Sequence, residues 1–198
     1  MSLNIVLIAG SSQLKSQSAK VANYLGQRLL TLRLCKQIAV LDLGSDPLPL
    51  WPSEDSSDAW EKYSANLIQA DALVVVAPEW NGMACPAIKN FFVYATHKEL
   101  GHKPALLVGV SAGVGGAYPL SELRASSYKN CRICYLPEQL IVRKVEQLFN
   151  PGPGANPKED SIRARADWTL EILAEYATAM KNIRSRIEID AVSFANGM

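Results

Sequence analysis

Histidine is nearly missing from this sequence: His97 and His102 are the only two in 198 residues. An imidazole-built metal centre is therefore not expected, and no metal site is assigned. Charge of one sign is also lacking, with 20 Lys and Arg against 19 Asp and Glu, a formal balance of +1. Nucleic-acid binders concentrate basic residues in a stripe, and none is present here. The same balance gives no attraction to an anionic membrane face. No apolar run approaches the ~20 residues of a membrane span. The opening stretch Asn4 to Gly10 has no leading positive charge and too short an apolar run for a signal peptide. A soluble, cytoplasmic protein is expected. Cysteine is sparse (Cys35, Cys85, Cys131 and Cys134). Cys131-Arg-Ile-Cys134 has C-x-x-C spacing but lacks a second pair or a histidine partner, and it closes a helix rather than opening one. Free thiols are the expectation. Neither a Walker loop nor a G-x-G-x-x-G fingerprint occurs.

The sequence does contain a regular alternation of buried strands and amphipathic helices. Ile5–Ala9, Ile38–Leu41, Ala72–Ala77 and Ala105–Val110 are short apolar runs without polar alternation, as in strands buried on both faces of a parallel sheet. Leu136–Val142 is a weaker fifth strand, and Pro137 suits it to an outer position. Between them lie helical stripes: Ala22, Leu25, Leu29 and Leu32; Trp60, Tyr63, Leu67 and Ala70; Ile88, Phe91, Phe92 and Ala95; a less regular stretch over Leu120–Lys129; and a last one from Ile162 to Met180. This predicts a single α/β domain over residues 1–198, a doubly wound five-stranded parallel sheet with helices on both faces. Residues 186–198 read as a tail that frays or docks. In such sheets ligands bind beyond the carboxyl ends of the strands, where strand order reverses.

Three loops at that edge carry unusual residues. The first, Gly10 to Ser18, holds Ser11, Ser12, Ser16 and Ser18 with Gln13 and Gln17 where a helix opens. Free backbone N–H groups and the helix dipole favour an anion there. One serine would serve as a helix cap, whereas four with a close-approach glycine point to a terminal phosphate. The second loop, Pro78-Glu79-Trp80-Asn81-Gly82, offers a flat apolar surface, an amide and an open glycine, which suit a planar heterocycle. From these residues alone an ordinary Asn-Gly turn reads equally well. The third, Ser111 to Gly116, has Gly113, Gly115 and Gly116, which admit a ligand to the backbone or simply connect two elements.

Together these loops resemble the NADPH-dependent FMN reductase family of flavin, azo-compound, chromate and quinone reductases, over about residues 3 to 145. Gly10-Ser11 with Ser16 and Ser18 is similar to the family's phosphate loop. Pro78-Glu79-Trp80-Asn81-Gly82 matches its Pro-Glu-Tyr-Asn-Gly signature with Trp80 for Tyr, and Lys89-Asn90 matches the downstream pair. Leu48-Pro49-Leu50-Trp51 is similar to a segment after its second strand. Gln13 stands where the family often has Arg, Val93 where it usually has Asp, and Pro86 falls one residue late. The resemblance implies a flavodoxin-like fold and bound FMN, with Ser11, Gln13, Ser16, Gln17 and Ser18 at the phosphate. Pro78, Glu79, Trp80, Asn81, Gly82, Ser111, Gly113 and Gly116 would lie at the ring. It implies NADPH or NADH as electron donor, small-molecule acceptors, ping-pong turnover without a catalytic side chain, and a homodimer or homotetramer. The 83–95 helix, with Phe91, Phe92 and Tyr94, is the natural interface. Lys15 or Arg124 would favour NADPH.

Three other readings remain from sequence. Gly109-Val110-Ser111-Ala112-Gly113 matches the G-x-S-x-G nucleophile elbow, but both histidines precede Ser111 in a segment expected at the opposite edge of the sheet. An electron carrier of the same fold would be more acidic than this chain. A module that has lost FMN would account for Gln13 and Val93.

Overall fold

The computed structural model describes residues 3–53, 56–154, 156–190 and 192–197, with backbone only at 56–57. Strands β1 (Asn4–Ala9), β2 (Gln37–Asp42), β3 (Ala72–Trp80), β5 (Pro104–Ser111) and β6 (Cys134–Arg143) form one parallel sheet in the order β2-β1-β3-β5-β6. A sixth strand, β4 (Met83–Ala84), pairs antiparallel with the end of β3. The sheet thus has six strands where the apolar runs predict five. The extra one arises because Asn81 and Gly82, both at positive φ, turn the chain back on itself. Such a two-residue turn is the preferred hairpin connection, and Asn-Gly its commonest sequence.

Strand residues sort by parity onto two cores. Ile5, Leu7 and Ala9 of β1, Ala72, Val74 and Val76 of β3, and Leu106 and Val108 of β5 face one cluster. It is covered by helices α1 (Gln17–Thr31) and α6 (Pro157–Arg184) through Leu25, Leu29, Leu170 and Leu173. The alternate residues, Val6, Ile8, Leu73, Val75 and Leu107, face the second cluster. Helices α2 (Ser56–Gln69), α3 (Pro86–Tyr94) and α5 (Tyr118–Ser126) cover that side, with Leu67, Ile88, Phe91 and Leu123 fully buried. Burial on both faces explains why the three central strands carry no polar alternation. β6 at the edge tolerates Pro137, as expected of an outer strand. A short helix, α4 (His97–Leu100), is closed by a capping box between Thr96 and Glu99. Helix α6 starts at Pro157, five residues before the apolar stripe, because Asn156 caps it and proline suits a first turn.

The amino edge of the sheet is closed by a compact polar cluster. Asp71 is buried, accepts the Asn4 N–H at 3.0 Å, and pairs with Lys181 and Arg184. Lys103, also buried, donates to the Leu67 and Ile68 carbonyls at 2.6 and 3.0 Å and so caps the end of α2. The described tail residues lie against this edge: Ile189 abuts Gly101, and Arg132 donates to the Phe194 carbonyl. Residues 191 and 198 of the tail fall outside the described residues.

Burial, reinforced by Arg184 and opposed by Asp71 and Glu99, lowers the Lys103 amine from its ordinary 10.5 to about 8. The folded chain holds this proton less tightly than the unfolded one, so this group makes the fold more stable as pH rises from about 8 to 10.5. Denaturant unfolding across that window should show wild type gaining on Lys103→Met by up to about 3 kcal/mol. A pH-independent difference would refute the assignment.

Candidate functional site

Strand register brings the three loops to one edge. Ala9 of β1 pairs with Val76 of β3, and Pro78 with Val110 of β5, so the chain leaves all three strands side by side. The β1–β3 boundary is also where strand order reverses, the place where ligands settle in such sheets. Gly10 fixes the first loop at this boundary. Its N–H donates to the Val76 carbonyl at 2.8 Å, and a Cβ there would stand 2.8 Å from that oxygen and 3.0 Å from Ile88.

The serines of the first loop divide into different tasks. Ser11 is buried and its Oγ accepts the Gln13 N–H at 3.2 Å, turning the loop. Ser16 is the N-cap of α1, its Oγ accepting from Ala19 N–H at 3.1 Å. Ser12 and Gln13 are exposed, and the Ser12 hydroxyl lies 4.0 Å from the Cys85 sulfur. Ser18 is different: it is 1% exposed, and its hydroxyl has no hydrogen-bond partner. The Gln17 Oε1 beside it is also buried and unpartnered. An unsatisfied buried polar group costs about 1–3 kcal/mol. Here two of them sit in the first turn of a helix that has no acidic residue in that turn. The Ser18 hydroxyl can donate there beside the first-turn backbone N–H groups, so a terminal phosphate fits, whereas the Gln17 Oε1 is an acceptor and contributes only with the amide turned to present its NH2.

The second and third loops are joined by one carboxylate. Glu79 Oε2 accepts the Gly116 N–H at 2.6 Å and the Tyr118 N–H at 3.3 Å. The carboxylate fills the space where a Cβ on Gly115 would go, 2.3 Å from Oε1. Gly116 is at φ 97° and its carbonyl rests on Gly109, where a Cβ would come within 1.9 Å. Two of the three glycines thus let the loop fold over Glu79. Gly113 and Gly82 are the open ones: a Cβ on Gly82 would meet nothing within 4 Å, and one on Gly113 only the Ser111 hydroxyl at 3.9 Å. Trp80 is half-buried between the hairpin and the loop edge, and Asn81 and Gly82 are exposed. Pro78 is buried in the ladder to Val110.

The residues after the hairpin brace the site. Glu122 Oε2 accepts the Ala84 N–H at 2.8 Å and pairs with Lys89 at 3.2 Å. Asn90 accepts the Trp51 N–H at 2.9 Å and donates to the Pro49 carbonyl at 2.8 Å, which also receives the Tyr94 hydroxyl at 2.9 Å. The 48–51 segment is thereby held beside the first loop, leaving Trp51 exposed and Leu50 exposed at a cleft of about 210 Å³ also lined by Ser12, Leu43, Pro86 and Asn90. Phe91 and Tyr94 are buried in the core, Phe92 is part-buried against it, and Val93 is exposed on the outer side of α3.

Other sequence candidates fall elsewhere. The Ser111 Oγ accepts the Gly113 N–H at 3.2 Å. His97 and His102 precede β5 and lie a strand's length away, roughly 23 Å, so the G-x-S-x-G match has no base beside it. Cys131 and Cys134 are free, and burial raises both thiols above their ordinary range. Arg124 donates to the Leu136 carbonyl at 2.6 Å and to Gln139 at 3.4 Å and is committed to the β6 edge. Among the described residues no three His, Cys, Asp or Glu side chains form a metal-binding group, and no helix is long and apolar enough to cross a membrane. Sequence reasoning missed the segment after β6. Lys144, at φ 52°, donates its N–H to the Gly113 carbonyl at 2.8 Å. The chain then returns through a 3-10 turn (Val145–Gln147), and Lys20 of α1 holds that turn by donating to the Val145 carbonyl at 2.7 Å. The available signal was a pair of cations, Arg143-Lys144, closing the last apolar strand.

An open parallel sheet with a phosphate-suited helix start at its switch point and two latched loops beyond it defines a flavodoxin-like nucleotide-binding protein. The chain belongs to the NADPH-dependent FMN reductase family, whose model matches residues 3–147. It is 27% identical over 196 residues to an NADPH azoreductase of Bacillus sp. (strain OY1-2), covering 95% of this chain and 100% of that one. It is 25% identical over 126 residues to an FMN-dependent NADPH-azoreductase of Staphylococcus aureus, covering 60% of this chain and 66% of that one. Among solved structures, FerB, a flavoenzyme NAD(P)H:(acceptor) oxidoreductase from Paracoccus denitrificans, superposes with a TM-score of 0.70 at 17% identity, covering 90% of this chain and 98% of that one. At that identity the likeness speaks for the fold.

If Glu79 latches the third loop, Glu79→Leu strands two backbone donors and should cost about 1–3 kcal/mol in denaturant unfolding. Amide exchange should quicken at 113–118. Glu79→Gln keeps an acceptor and should retain most of the protection, whereas equal loss in both variants would count against the latch.

Proposed function

We propose that this protein uses FMN to pass electrons from NADPH or NADH to a small acceptor such as a quinone, an azo compound, a metal oxyanion or free flavin. The observation that carries this reading is the buried, unpartnered hydroxyl of Ser18 in the first turn of α1. Family membership supports the cofactor and the donor.

FMN, when bound, would supply the redox chemistry that couples a nicotinamide donor to the acceptor. The chain supplies binding and electrostatics. Ser18 and the free N–H groups of the first turn would hold the phosphate, with the Gln17 amide beside them, Ser16 as cap, and Ser11 and Gln13 shaping the loop before it. Trp80, Asn81 and Gly82 of the hairpin, with Ser111 and Gly113 of the third loop, would hold the ring. Glu79 and Gly116 keep the hairpin and this loop at a fixed separation from behind, and Pro78 anchors the hairpin in the sheet. No side chain acts as acid or base. Backbone N–H groups around Gly82 and Gly113 would favour a negatively charged ring, as preorganised donors do. Donor and acceptor would bind at this edge in turn, a ping-pong order. We place the enzyme in the cytoplasm as a homodimer or homotetramer, with the outer side of α3 around the exposed Val93 in the interface. Light scattering of Val93→Asp should then report a smaller species than wild type.

The deciding measurement is a visible spectrum after incubation with FMN and desalting, before and after anaerobic NADPH. Retained bands that bleach support the reductase; retained bands that persist indicate a carrier, and no retained flavin refutes the FMN reading. The serines provide a sharper check. Ser18→Ala should leave the melting temperature of the ligand-free protein unchanged or slightly raised and weaken FMN about tenfold, with riboflavin unaffected. Ser16→Ala removes a cap and should cost about 1 kcal/mol of stability besides.

A further inference from the structure

Arg143 ends β6 opposite Ser111 of β5, at the carboxyl edge of the sheet. Its Nε donates to the Gly115 carbonyl at 3.0 Å, and the neighbouring Lys144 N–H donates to the Gly113 carbonyl at 2.8 Å. Consecutive cations are thus fastened to the loop that borders the ring. The guanidinium is oriented by one of its five N–H donors, and its residue is exposed. No carboxylate pairs with Arg143 or Lys144 among the described residues. The nearest acid in sequence, Glu146, interacts electrostatically with Lys20. Lys144 also holds a left-handed backbone, φ 52°, a conformation costing about 1 kcal/mol or more for a residue with a side chain. A fixed guanidinium with its terminal nitrogens turned to solvent is suited to bidentate contact with a phosphate monoester.

We propose that Arg143, assisted by Lys144, is the specificity-determining residue that reads the ribose 2′-phosphate of the nicotinamide donor and makes NADPH preferred over NADH. This rests on the reductase reading above. Arg124, which sequence offers for this role, is held by the Leu136 carbonyl and Gln139. Lys15 is exposed in the first loop with no hydrogen bond or ion pair to anchor it. Arg143 alone combines exposure, a fixed orientation and a place beside the ring-bordering loop.

The test is steady-state kinetics with both nucleotides, joined to calorimetric titration of the FMN-loaded protein with NADP+ and NAD+. Losing a charge-assisted phosphate contact of about 1.5–3 kcal/mol lowers affinity roughly 10- to 100-fold. Arg143→Gln should therefore cut the NADPH-to-NADH ratio of kcat/KM by about that factor, chiefly through KM for NADPH. It should also weaken NADP+ far more than NAD+ in calorimetry, and Arg143→Lys should recover part of both. An unchanged melting temperature excludes misfolding as the cause. Wild type oxidising NADPH with a ratio that stays within about twofold in both Arg143→Gln and Lys144→Gln would overturn the proposal and leave the reductase reading standing. Wild type using NADH as well as NADPH would overturn it too. If FMN-loaded wild type oxidises neither nucleotide, the reductase reading fails and this proposal falls with it.

Discussion

A single carboxylate turns the carboxyl edge of this sheet into a surface of fixed shape. Glu79 reaches across from the β3 hairpin and takes two backbone N–H groups of the loop after β5. Bonds to an ionised acceptor are roughly twice as strong as neutral ones. The surrounding residues are arranged around this contact. The Asn81-Gly82 turn extends β3 far enough to present Glu79, Gly115 has no side chain where the carboxylate lies, and Gly116 folds tightly onto Gly109. Arg143 grips the same loop from the far side through the Gly115 carbonyl. The first loop is held differently, by the Gly10 backbone against Val76, and this leaves the Ser18 hydroxyl unsatisfied within a rigid frame. A rigid frame around an unsatisfied group is the usual signature of a preorganised binding position.

The two edges of the sheet treat charge in opposite ways. At the amino edge Asp71, Lys181, Arg184 and Lys103 neutralise one another or a helix end, and Asp71 and Lys103 are buried. At the carboxyl edge Arg143 and Lys144 remain exposed with no carboxylate paired to them among the described residues, and the first turn of α1 holds the unpartnered Ser18 hydroxyl. Paired and unpaired polar groups are thus separated by the length of the strands.

The fold was legible in the sequence because burial on both faces leaves a distinctive record: β-branched runs such as Leu73–Val76 admit no polar residue. The hairpin was foreseen only as one reading of Asn81-Gly82, since a turn that forms a strand and a turn that borders a ligand look alike in five residues. In the first loop the serines were identifiable as a group, but their division of labour was not. Which hydroxyl caps, which turns the loop and which stays free depends on φ and ψ at Ser16 and on the depth of Ser18. Glu79 was recognisable as part of a motif, yet its bond to Gly116 joins residues 37 apart in sequence and has no local signature. Arg143 and Lys144 were overlooked for the same reason, because only the pairing of β6 with β5 carries them to the third loop.

The position of β1 has a consequence for how the chain assembles. β1 lies between β2, its near neighbour along the chain, and β3, which comes after α2. Closure entropy rises with loop length, so the β1–α1–β2 unit is the less costly to close, and pairing with β3 is the long-range step. The Gly10–Val76 bond that fixes the start of the first loop exists only after that step. Order in this loop is therefore thermodynamically linked to the docking of β3 rather than to the formation of α1. A ligand at a hundred times its Kd would add about 2.7 kcal/mol to the fully paired sheet and nothing to a chain that stops at two strands.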